Sequence, residues 1–295
     1  MSERRIVKSL IRNLLTSIAN NVKEALFPTR CLVCRTFFHS RKRQKFDFKD
    51  SHSGTTNSKA TKKTIDKLAT FEILMDPFLC PSCSTGFLPV ESPKCSKCGI
   101  MFKSKVGDDR ICGECLDSPK KFGVARSTGM YEQALMSAIH CFKYKEKIQL
   151  ARPFGTLLLA TFIKFWDSNS IDLIVPVPLH AKKMRIRGFN PPLLLVKNWT
   201  SIAATFDFNF PAIPVETDVL KRTKWTEPQT GLERKKRMAN IKNAFSISHP
   251  SKITGKHILL VDDVYTTGAT VSECVKVLLS CGAENVDVLT LARTM

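Results

Sequence analysis

Residues 257–270 read HILLVDDVYTTGAT, and this stretch decides the fold. Its apolar, β-branched beginning predicts a buried strand over 257–261. Two carboxylates, Asp262 and Asp263, follow where we expect the strand to end. A loop of threonine and glycine leads into Val271–Ser280, whose apolar residues recur at helical spacing. The order of strand, acidic pair, small-residue turn and helix is typical of a phosphate-binding loop.

The composition of the turn supports this interpretation. Gly268 permits backbone conformations that a Cβ would forbid, and Thr266, Thr267 and Thr270 offer hydroxyl donors beside a helix N-terminus that favours anions. The carboxylates suit the other end of the ligand, because they accept hydrogen bonds from sugar hydroxyls. A sugar phosphate would satisfy both ends. The alternative is a buried strand followed by a turn that only caps a helix.

The chain has 295 residues, of which 43% are hydrophobic. This length allows two domains and an ample core. No apolar run approaches the roughly 20 residues of a membrane span, and the N-terminus lacks the pattern of a secretion signal. We therefore expect a cytoplasmic protein without a transmembrane segment.

The formal net charge is +20, and residues 1–120 carry about half of it. Such an excess favours polyanionic partners, namely nucleic acid, phosphorylated metabolites or an anionic membrane surface. The alternative is a solvated basic surface that binds nothing in particular.

Eight cysteines form four Cys-x-x-Cys pairs: Cys31/Cys34, Cys80/Cys83, Cys95/Cys98 and Cys112/Cys115. Two such pairs complete a tetrahedral zinc site, and four protein ligands leave no open position for chemistry. We predict two structural Zn²⁺ ions, with consecutive pairs sharing an ion, although interleaved pairing would also satisfy the spacing. Disulfides are disfavoured in a cytosolic chain. The remaining cysteines lie in apolar helical patterns and are predicted to be buried thiols: Cys141, Cys274 and Cys281.

Two segments beside the cysteine pairs have a different residue composition and pattern. Residues 4–27 have apolar residues at helical spacing, which predicts an amphipathic helix that packs on the following domain or lies on a membrane surface. Residues 40–67 are rich in serine, threonine and basic side chains, which predicts an exposed, disordered insertion.

From residue 121 onward the pattern becomes α/β. Strands are predicted over 122–129, 171–177, 215–220 and 286–291, in addition to 257–261, and helices over 131–143, 150–166, 189–206 and 230–241. Alternating strands and helices imply a mostly parallel sheet with its site at the carboxyl ends of the strands.

Two basic clusters follow strands of this sheet. The first comprises Lys182, Lys183, Arg185 and Arg187, and the second comprises Lys221, Arg222, Lys224, Arg234 and Arg237. Loops with such donors can clamp a pyrophosphate or contact nucleic acid, whereas each residue alone would be interpreted as solvated. Phe189, Trp225 and Phe245 lie in or beside these segments and are candidate stacking platforms for single-stranded DNA.

The stretch 257–270 resembles the phosphoribosyl pyrophosphate (PRPP) signature of type I phosphoribosyltransferases: four apolar residues, two acids, three variable residues and Thr-Gly-Ala-Thr. The chain as a whole resembles the ComF family, to which the GntX-like proteins also belong. The further marks of this resemblance are Leu26–Pro28, the cysteine pairs, Lys143–Tyr144, Val175–Leu179, Arg187–Asn190, Arg222–Thr223, Gln229, Leu232, Arg237, Asn240 and Ala244–Phe245. Two features depart from the family pattern: Pro191–Pro192 stand where a Gln is usual, and the insertion splits the first cysteine-rich unit.

The resemblance implies a type I phosphoribosyltransferase fold behind an N-terminal zinc domain. The expected domains are an amphipathic helix over 1–30, a double zinc ribbon over 31–120 and a phosphoribosyltransferase-like domain over 121–295. The family is linked to natural competence, in which imported single-stranded DNA is handled on the cytoplasmic side, so competence-machinery proteins are expected partners.

The resemblance also implies residue roles. Asp262 and Asp263 would hold the ribose hydroxyls, and the loop after the strand at 171–177 would meet a Mg²⁺-bridged pyrophosphate. Residues assigned to the 5′-phosphate are Thr266, Thr267, Gly268, Ala269 and Thr270; those assigned to the pyrophosphate loop are Val177, Pro178 and Arg187. Arg222 or Lys221 would neutralise the leaving group.

Two functions are compatible with this pattern. One is transfer of ribose 5-phosphate from PRPP to a nitrogen nucleophile, for which the sequence declares no acceptor pocket. The other is non-catalytic binding of single-stranded DNA, with PRPP as a regulatory ligand.

Overall fold

A parallel sheet forms the centre of the protein in the computed structural model, which describes residues 29–40, 70–225 and 241–295. The strands within these ranges are β1 (Thr29–Arg30), β2 (Phe37–Phe38), β3 (Ala125–Met130), β4 (Leu173–Pro176), β5 (Leu220–Arg222), β6 (Phe245–Ile247), β7 (His257–Tyr265) and β8 (Asn285–Arg293). The helices are α1 (Phe71–Met75), α2 (Pro81–Ser84), α3 (Gly113–Asp117), α4 (Gln133–Tyr144), α5 (Ala151–Phe165), α6 (Ala181–Arg187), α7 (Pro191–Val196), α8 (Trp199–Ala204) and α9 (Ala269–Ser280).

The central sheet has the order β3-β8-β7-β4, and every neighbouring pair is parallel. The two central strands, β7 and β8, pair from His257 opposite Asn285 to Tyr265 opposite Arg293. A parallel bridge from Val215 to Ile174 extends the β4 edge. The expected α/β class with a parallel sheet is confirmed, and the carboxyl ends of the strands lie together at one edge.

Helices and small sheets cover both faces of the central sheet. Alternate residues of β7 enter different cores: Leu259 and Val261 pack with α4, α5, α7 and α8, whereas Ile258 and Leu260 pack with α9 and the β5–β6 pair. The two sets alternate because successive side chains of a strand point to opposite faces of the sheet. The cysteine clusters divide in the same way, so each Cys-rich unit packs against its own face.

The end of β7 differs from the prediction. The strand was expected to stop at Val261, but it continues to Tyr265, because β8 runs beside it as far as Arg293. On its other side the neighbour ends earlier, since Pro176 of β4 pairs with Val261. The acidic pair therefore lies on a strand that is paired on one side and open on the other.

Two further elements depart from the prediction. The helix expected over 189–206 is broken into α7 and α8, and this break lets both Leu195 and Trp199 enter the core. The strand expected over 215–220 is reduced to the Val215 bridge; the chain then leaves the sheet, and β5 pairs with β6 in antiparallel fashion.

Some predictions fall outside the described residues. These are the amphipathic helix over 4–27, nearly all of the insertion over 40–67, and the basic stretch that contains Arg234 and Arg237. Among the helices that the structure does describe, none combines the length and apolar character that crossing a bilayer requires.

Candidate functional site

The acidic pair divides between the two faces of the sheet. Because consecutive side chains of a strand point in opposite directions, Asp263 and Asp262 meet different layers. Nζ of Lys143, in the last turn of α4, donates a hydrogen bond to Oδ1 of Asp263 at 2.7 Å. Both side chains of this ion pair are 13% exposed. The Asp263 carboxylate is thus neutralised from the α4 layer.

Asp262 is held less completely. Its Oδ1 accepts the backbone N–H of Asp263 at 2.8 Å, and the residue is half-buried. Burial and the neighbouring Asp263 charge raise the pKa of Asp262 to about 7, against the opposing effect of Lys143 and Arg222. Asp262 therefore loses its proton at a higher pH than an ordinary aspartate does.

Basic side chains surround the pair and crowd one another. Burial lowers the pKa of Lys183, and the nearby charges of Arg187, Arg222 and Lys143 lower it further. Burial also lowers the pKa of Arg222. We call Lys143, Lys183, Arg187 and Arg222 the cation cluster; the charges of the other three members disfavour the charged form of Lys183, which a polyanionic ligand would relieve.

The loop after β7 has the geometry that the motif predicts. Gly268 adopts φ of 72° directly before α9, and a Cβ at this position would collide with the Tyr265 hydroxyl. Oγ1 of Thr267 accepts the backbone N–H of Ala269 at 3.4 Å. The N-terminus of a 12-residue helix therefore opens onto this loop, which favours a bound anion.

The loop after β4 lies beside the same edge of the sheet. The backbone N–H of Val177 donates to the carbonyl of Val261 at 2.8 Å, and Nδ2 of Asn190 donates to the carbonyl of Val177 at 3.2 Å. Pro191 occupies the first turn of α7, where proline is tolerated because its missing N–H is not needed. Asn190 thus anchors the Val177–Pro178 loop, and the unusual prolines start the next helix.

Lys221 and Arg222, the two candidates for neutralising the leaving group, lie on different faces of β5. Arg222 lies close enough to Asp262 to lower its pKa, whereas Lys221 precedes it in the strand and is exposed on the other face. Of the candidate stacking residues, Phe189 contacts the core ring of Phe142 and Phe245 is 6% exposed.

Trp225 differs from the other two aromatic residues because an exposed lysine lies against its ring. Its ring meets His180 edge-on, and Nζ of Lys182 lies 5.2 Å from the ring centroid. The side chain is half-buried. It is therefore the candidate stacking residue whose ring stands beside an exposed cation.

The cysteines form two groups in which all ligand atoms lie within 4.8 Å of one another: Cys31, Cys34, Cys80 and Cys83 in the first, and Cys95, Cys98, Cys112 and Cys115 in the second. Zinc–sulfur bonds of about 2.3 Å give a tetrahedron with sulfur–sulfur edges of about 3.8 Å. The Sγ atoms of Cys34 and Cys80 are 3.6 Å apart, and those of Cys98 and Cys112 are 3.8 Å apart. The donor sets fit Zn²⁺, and consecutive rather than interleaved pairs come together.

Backbone donors support thiolate charge in the second group. The N–H groups of Cys98 and Cys112 donate to Sγ of Cys95 at 3.3 and 3.4 Å. Although burial raises the pKa of Cys95, these donors lower it to about 6. The remaining cysteines agree with the prediction in part: Cys141 and Cys274 are buried, but Cys281 is only half-buried.

Comparison with known proteins identifies the family. Residues 202–295 match the phosphoribosyl transferase domain. The chain is 31% identical over 208 residues to the DNA utilization protein YhgH of Salmonella typhi, a match that covers 68% of the chain and 84% of that protein. It is also 31% identical to competence protein F of Haemophilus influenzae, with 68% and 85% covered. The chain belongs to the ComF family. A more distant member, competence protein ComFC of Streptococcus pneumoniae, is 26% identical, with 78% of the chain and 97% of that protein covered.

One residue of the candidate site in this ComF protein was missed by sequence reasoning. Lys143 was recognised only as part of a family mark, yet it forms the ion pair with Asp263. The two residues are 120 positions apart, so no local pattern links them. The sequence signal that could have pointed to Lys143 is weak: a lysine near the end of a predicted helix, in an α/β chain that also carries an acidic motif.

The raised pKa of Asp262 predicts how stability depends on pH. The folded state binds a proton up to about pH 7, whereas the unfolded carboxyl releases it near its ordinary pKa of 3.8, so this group makes the free energy of unfolding fall as pH rises between these values. Asp262→Asn should therefore raise the melting temperature of the unliganded protein at pH 8. The difference from wild type should shrink steadily below pH 7.

The exposed Asp117→Asn variant is the matched control for this measurement and should show no such pH dependence. Thermal melts of the three proteins between pH 5 and 8 give the comparison. Equal melting temperatures for wild type and Asp262→Asn at pH 8 would contradict the assignment of charge strain to Asp262.

The cysteine geometry predicts the metal content. Wild-type protein should contain two Zn²⁺ per chain, Cys112→Ser should lose the second ion, and Cys281→Ser, which alters a thiol outside both groups, should keep both. Elemental analysis of purified protein measures the ratio. Loss of both ions from Cys112→Ser without unfolding would contradict independent sites.

Proposed function

We propose that the protein binds Mg²⁺-PRPP at the carboxyl end of β7. The observation that carries this proposal is the cation cluster beside the acidic pair: burial and the nearby charges of Arg187, Arg222 and Lys143 lower the pKa of Lys183, so a ligand with several negative charges would be stabilised there. The match to the phosphoribosyl transferase domain covers residues 202–295 and so includes β7 and the loop that follows it.

Each part of the ligand has a matching group. The ribose hydroxyls would contact Asp262 and the carboxylate of Asp263, and the 5′-phosphate would contact the loop Thr266–Thr270 at the start of α9. The pyrophosphate would meet the Val177–Pro178 loop and the guanidinium groups of Arg187 and Arg222, which bind phosphate bidentately. Mg²⁺, when bound with the ligand, would offset part of the negative charge of the pyrophosphate group.

The same arrangement suits phosphoribosyl transfer. A nitrogen nucleophile gives its lone pair to the anomeric carbon, the bond from that carbon to the pyrophosphate oxygen breaks, and the electron pair leaves with Mg²⁺-pyrophosphate. The proton lost from the nucleophile passes to solvent. The protein's part is to fix the ribose and to place cations where negative charge grows on the leaving group.

The relatives support a proposal for the biological setting. Proteins named for DNA utilization and for competence match over most of their length. We propose that the protein acts in DNA uptake on the cytoplasmic side, with competence-machinery proteins as partners.

A second candidate function is binding of single-stranded DNA, and the surface around α6 favours it. None of the residues of α6 is buried. Lys182 lies over the ring of Trp225, and Lys221 and Lys224 are exposed on the segment that carries this ring. Cations beside an accessible indole form the kind of surface on which a base stacks while phosphates are neutralised. In this case PRPP, bound next to α6, would act as a regulatory ligand.

Calorimetric titration with Mg²⁺-PRPP tests the first proposal. Wild-type protein should bind, and Asp262→Asn/Asp263→Asn should lose binding, because the ribose hydroxyls lose their carboxylate acceptors. Asp108→Asn/Asp117→Asn makes the same change in charge at exposed positions of the second Cys-rich unit and should bind like wild type. Absence of heat from a folded, zinc-loaded wild type would overturn the proposal.

Fluorescence anisotropy with a labelled oligothymidine tests the second candidate function, the binding of single-stranded DNA. Each phosphate contact contributes about −0.7 to the slope of log affinity against log salt for single strands, so Lys182→Ala/Lys224→Ala should make the slope shallower by about 1.4. The control Lys103→Ala/Lys105→Ala removes two exposed lysines elsewhere. Equal slopes for the two double variants would exclude the α6 surface, and a titration with Mg²⁺-PRPP present would show whether the ligand regulates DNA binding.

A further inference from the structure

The two cysteine groups differ in how far solvent reaches them. In the second group all four cysteines are buried, and none has more than 9% of its surface exposed. In the first group Cys31 and Cys80 are buried, whereas Cys83 is half-buried and Cys34 is exposed. The same set of four sulfur ligands is therefore enclosed by protein in one unit and open to solvent at one corner in the other.

The hydrogen bonds of the sulfur atoms follow the same division. In the second group two backbone N–H groups donate to Sγ of the buried Cys95. In the first group Sγ of Cys34 has the exposed hydroxyl of Thr36 as its partner, at 3.4 Å. The oxidation of a cysteine depends on how much of it is thiolate and on how accessible its sulfur is. A metal-bound thiolate at position 34 is therefore the point at which a small oxidant would enter.

The two groups also close chain segments of different length. Their nearest ligands from consecutive pairs are 46 positions apart in the first group (Cys34 and Cys80) and 14 apart in the second (Cys98 and Cys112). Closing a longer segment costs more conformational entropy. Once two ligands of the first group are lost, that site is therefore harder to restore than the second.

A second sulfur lies within reach of the exposed one, because Sγ of Cys80 is 3.6 Å from Sγ of Cys34. The Cys34 thiolate would attack an oxygen of a peroxide, so that a sulfur–oxygen bond forms, the oxygen–oxygen bond breaks and hydroxide leaves. The Cys80 thiolate would then attack the Cys34 sulfur, form the disulfide and expel a second hydroxide. Each hydroxide takes a proton from solvent. Two thiolates lose two electrons in total, the peroxide gains them, and Zn²⁺ is left with two of its four ligands.

The first group is attached directly to the helix that neutralises the acidic pair. Sγ of Cys141, in α4, donates to the carbonyl of Leu32, which lies between the first two cysteines of the group. Cys31 is also part of the hydrophobic core that α4 enters. Two residues after Cys141, Lys143 forms the ion pair with Asp263. A change in the first group would therefore reach α4 through direct contacts.

We propose that the first cysteine group is a peroxide-sensitive metal site, and that its oxidation between Cys34 and Cys80 loosens α4 while the second group keeps its ion. The two units then have different roles: the second is a permanent structural support, and the first reports the presence of an oxidant to the helix that holds Asp263. This proposal is independent of whether PRPP binds.

Metal release from the zinc-loaded full chain tests the proposal, with hydrogen peroxide as the oxidant and a chromogenic chelator as the indicator. Wild type should release one Zn²⁺ per chain at least about tenfold faster than the other, because only one group offers an exposed sulfur. Cys112→Ser keeps the first group and should release its remaining ion at the fast rate. Cys34→Ser keeps the second group and should release its ion only slowly. Cys281→Ser removes a half-buried thiol outside both groups and should behave like wild type.

Two further measurements on wild type identify the site and its effect without any variant. Alkylation and peptide mass spectrometry after the fast phase should find a disulfide between Cys34 and Cys80, with the second group still reduced. Hydrogen–deuterium exchange should become faster in α4 and stay unchanged in α9, which packs in the other core. Dithiothreitol with added Zn²⁺ should reverse both changes.

Equal rates of release from the two groups, or a fast phase whose disulfide lacks Cys34, would overturn the peroxide-sensitive site. Fast release from Cys34→Ser would do the same, because the second group would then be the sensitive one. Selective release with unchanged exchange in α4 would overturn the link between the first group and that helix.

Discussion

Two adjacent carboxylates near the end of β7, a buried central strand, are the constraint on which the rest of the site depends. They point to opposite faces of β7, so the layers on both sides of the sheet contribute to the site. Lys143 pairs with Asp263 and also acts on Asp262, and Arg222 of β5 acts on Asp262 as well. Removing a charge from water costs several kcal/mol unless a partner compensates, so the two covering layers must be positioned together.

The second Cys-rich unit takes part in the same arrangement through Arg293. The guanidinium of Arg293 contacts both the carbonyl of Cys98 and the ring of Tyr265, and Tyr265 fills the space that a side chain at position 268 would need. If Zn²⁺ is bound by four thiolates, the group carries net negative charge, and a buried arginine beside it is a favourable counter-ion. The second cysteine group and the loop after β7 are therefore linked by direct contacts.

The sequence was sufficient where structure depends on neighbours along the chain. The strand, turn and helix of 257–280 and the ligand pairs of the cysteines are local patterns, and they were predicted. Prediction from the sequence failed where ion pairs, hydrogen bonds or strand pairing join segments that are far apart in the chain. Lys143 and Asp263 are 120 residues apart, Arg293 and Cys98 are 195 apart, and the extension of β7 to Tyr265 depends on the length of β8. No periodicity encodes such partners, because they are selected by the topology of the sheet.

The strand order has a consequence for biosynthesis. The sheet is completed by β8, the last strand of the chain, which inserts between β3 and β7 and so joins residues about 160 positions apart. Chains emerge from the ribosome at about 5–20 residues per second, so the cysteine-rich segment is available to fold well before the centre of the sheet exists. Until then β3 and β4 lack their partners in the sheet, and unpaired strand edges of this kind are prone to pair with other chains.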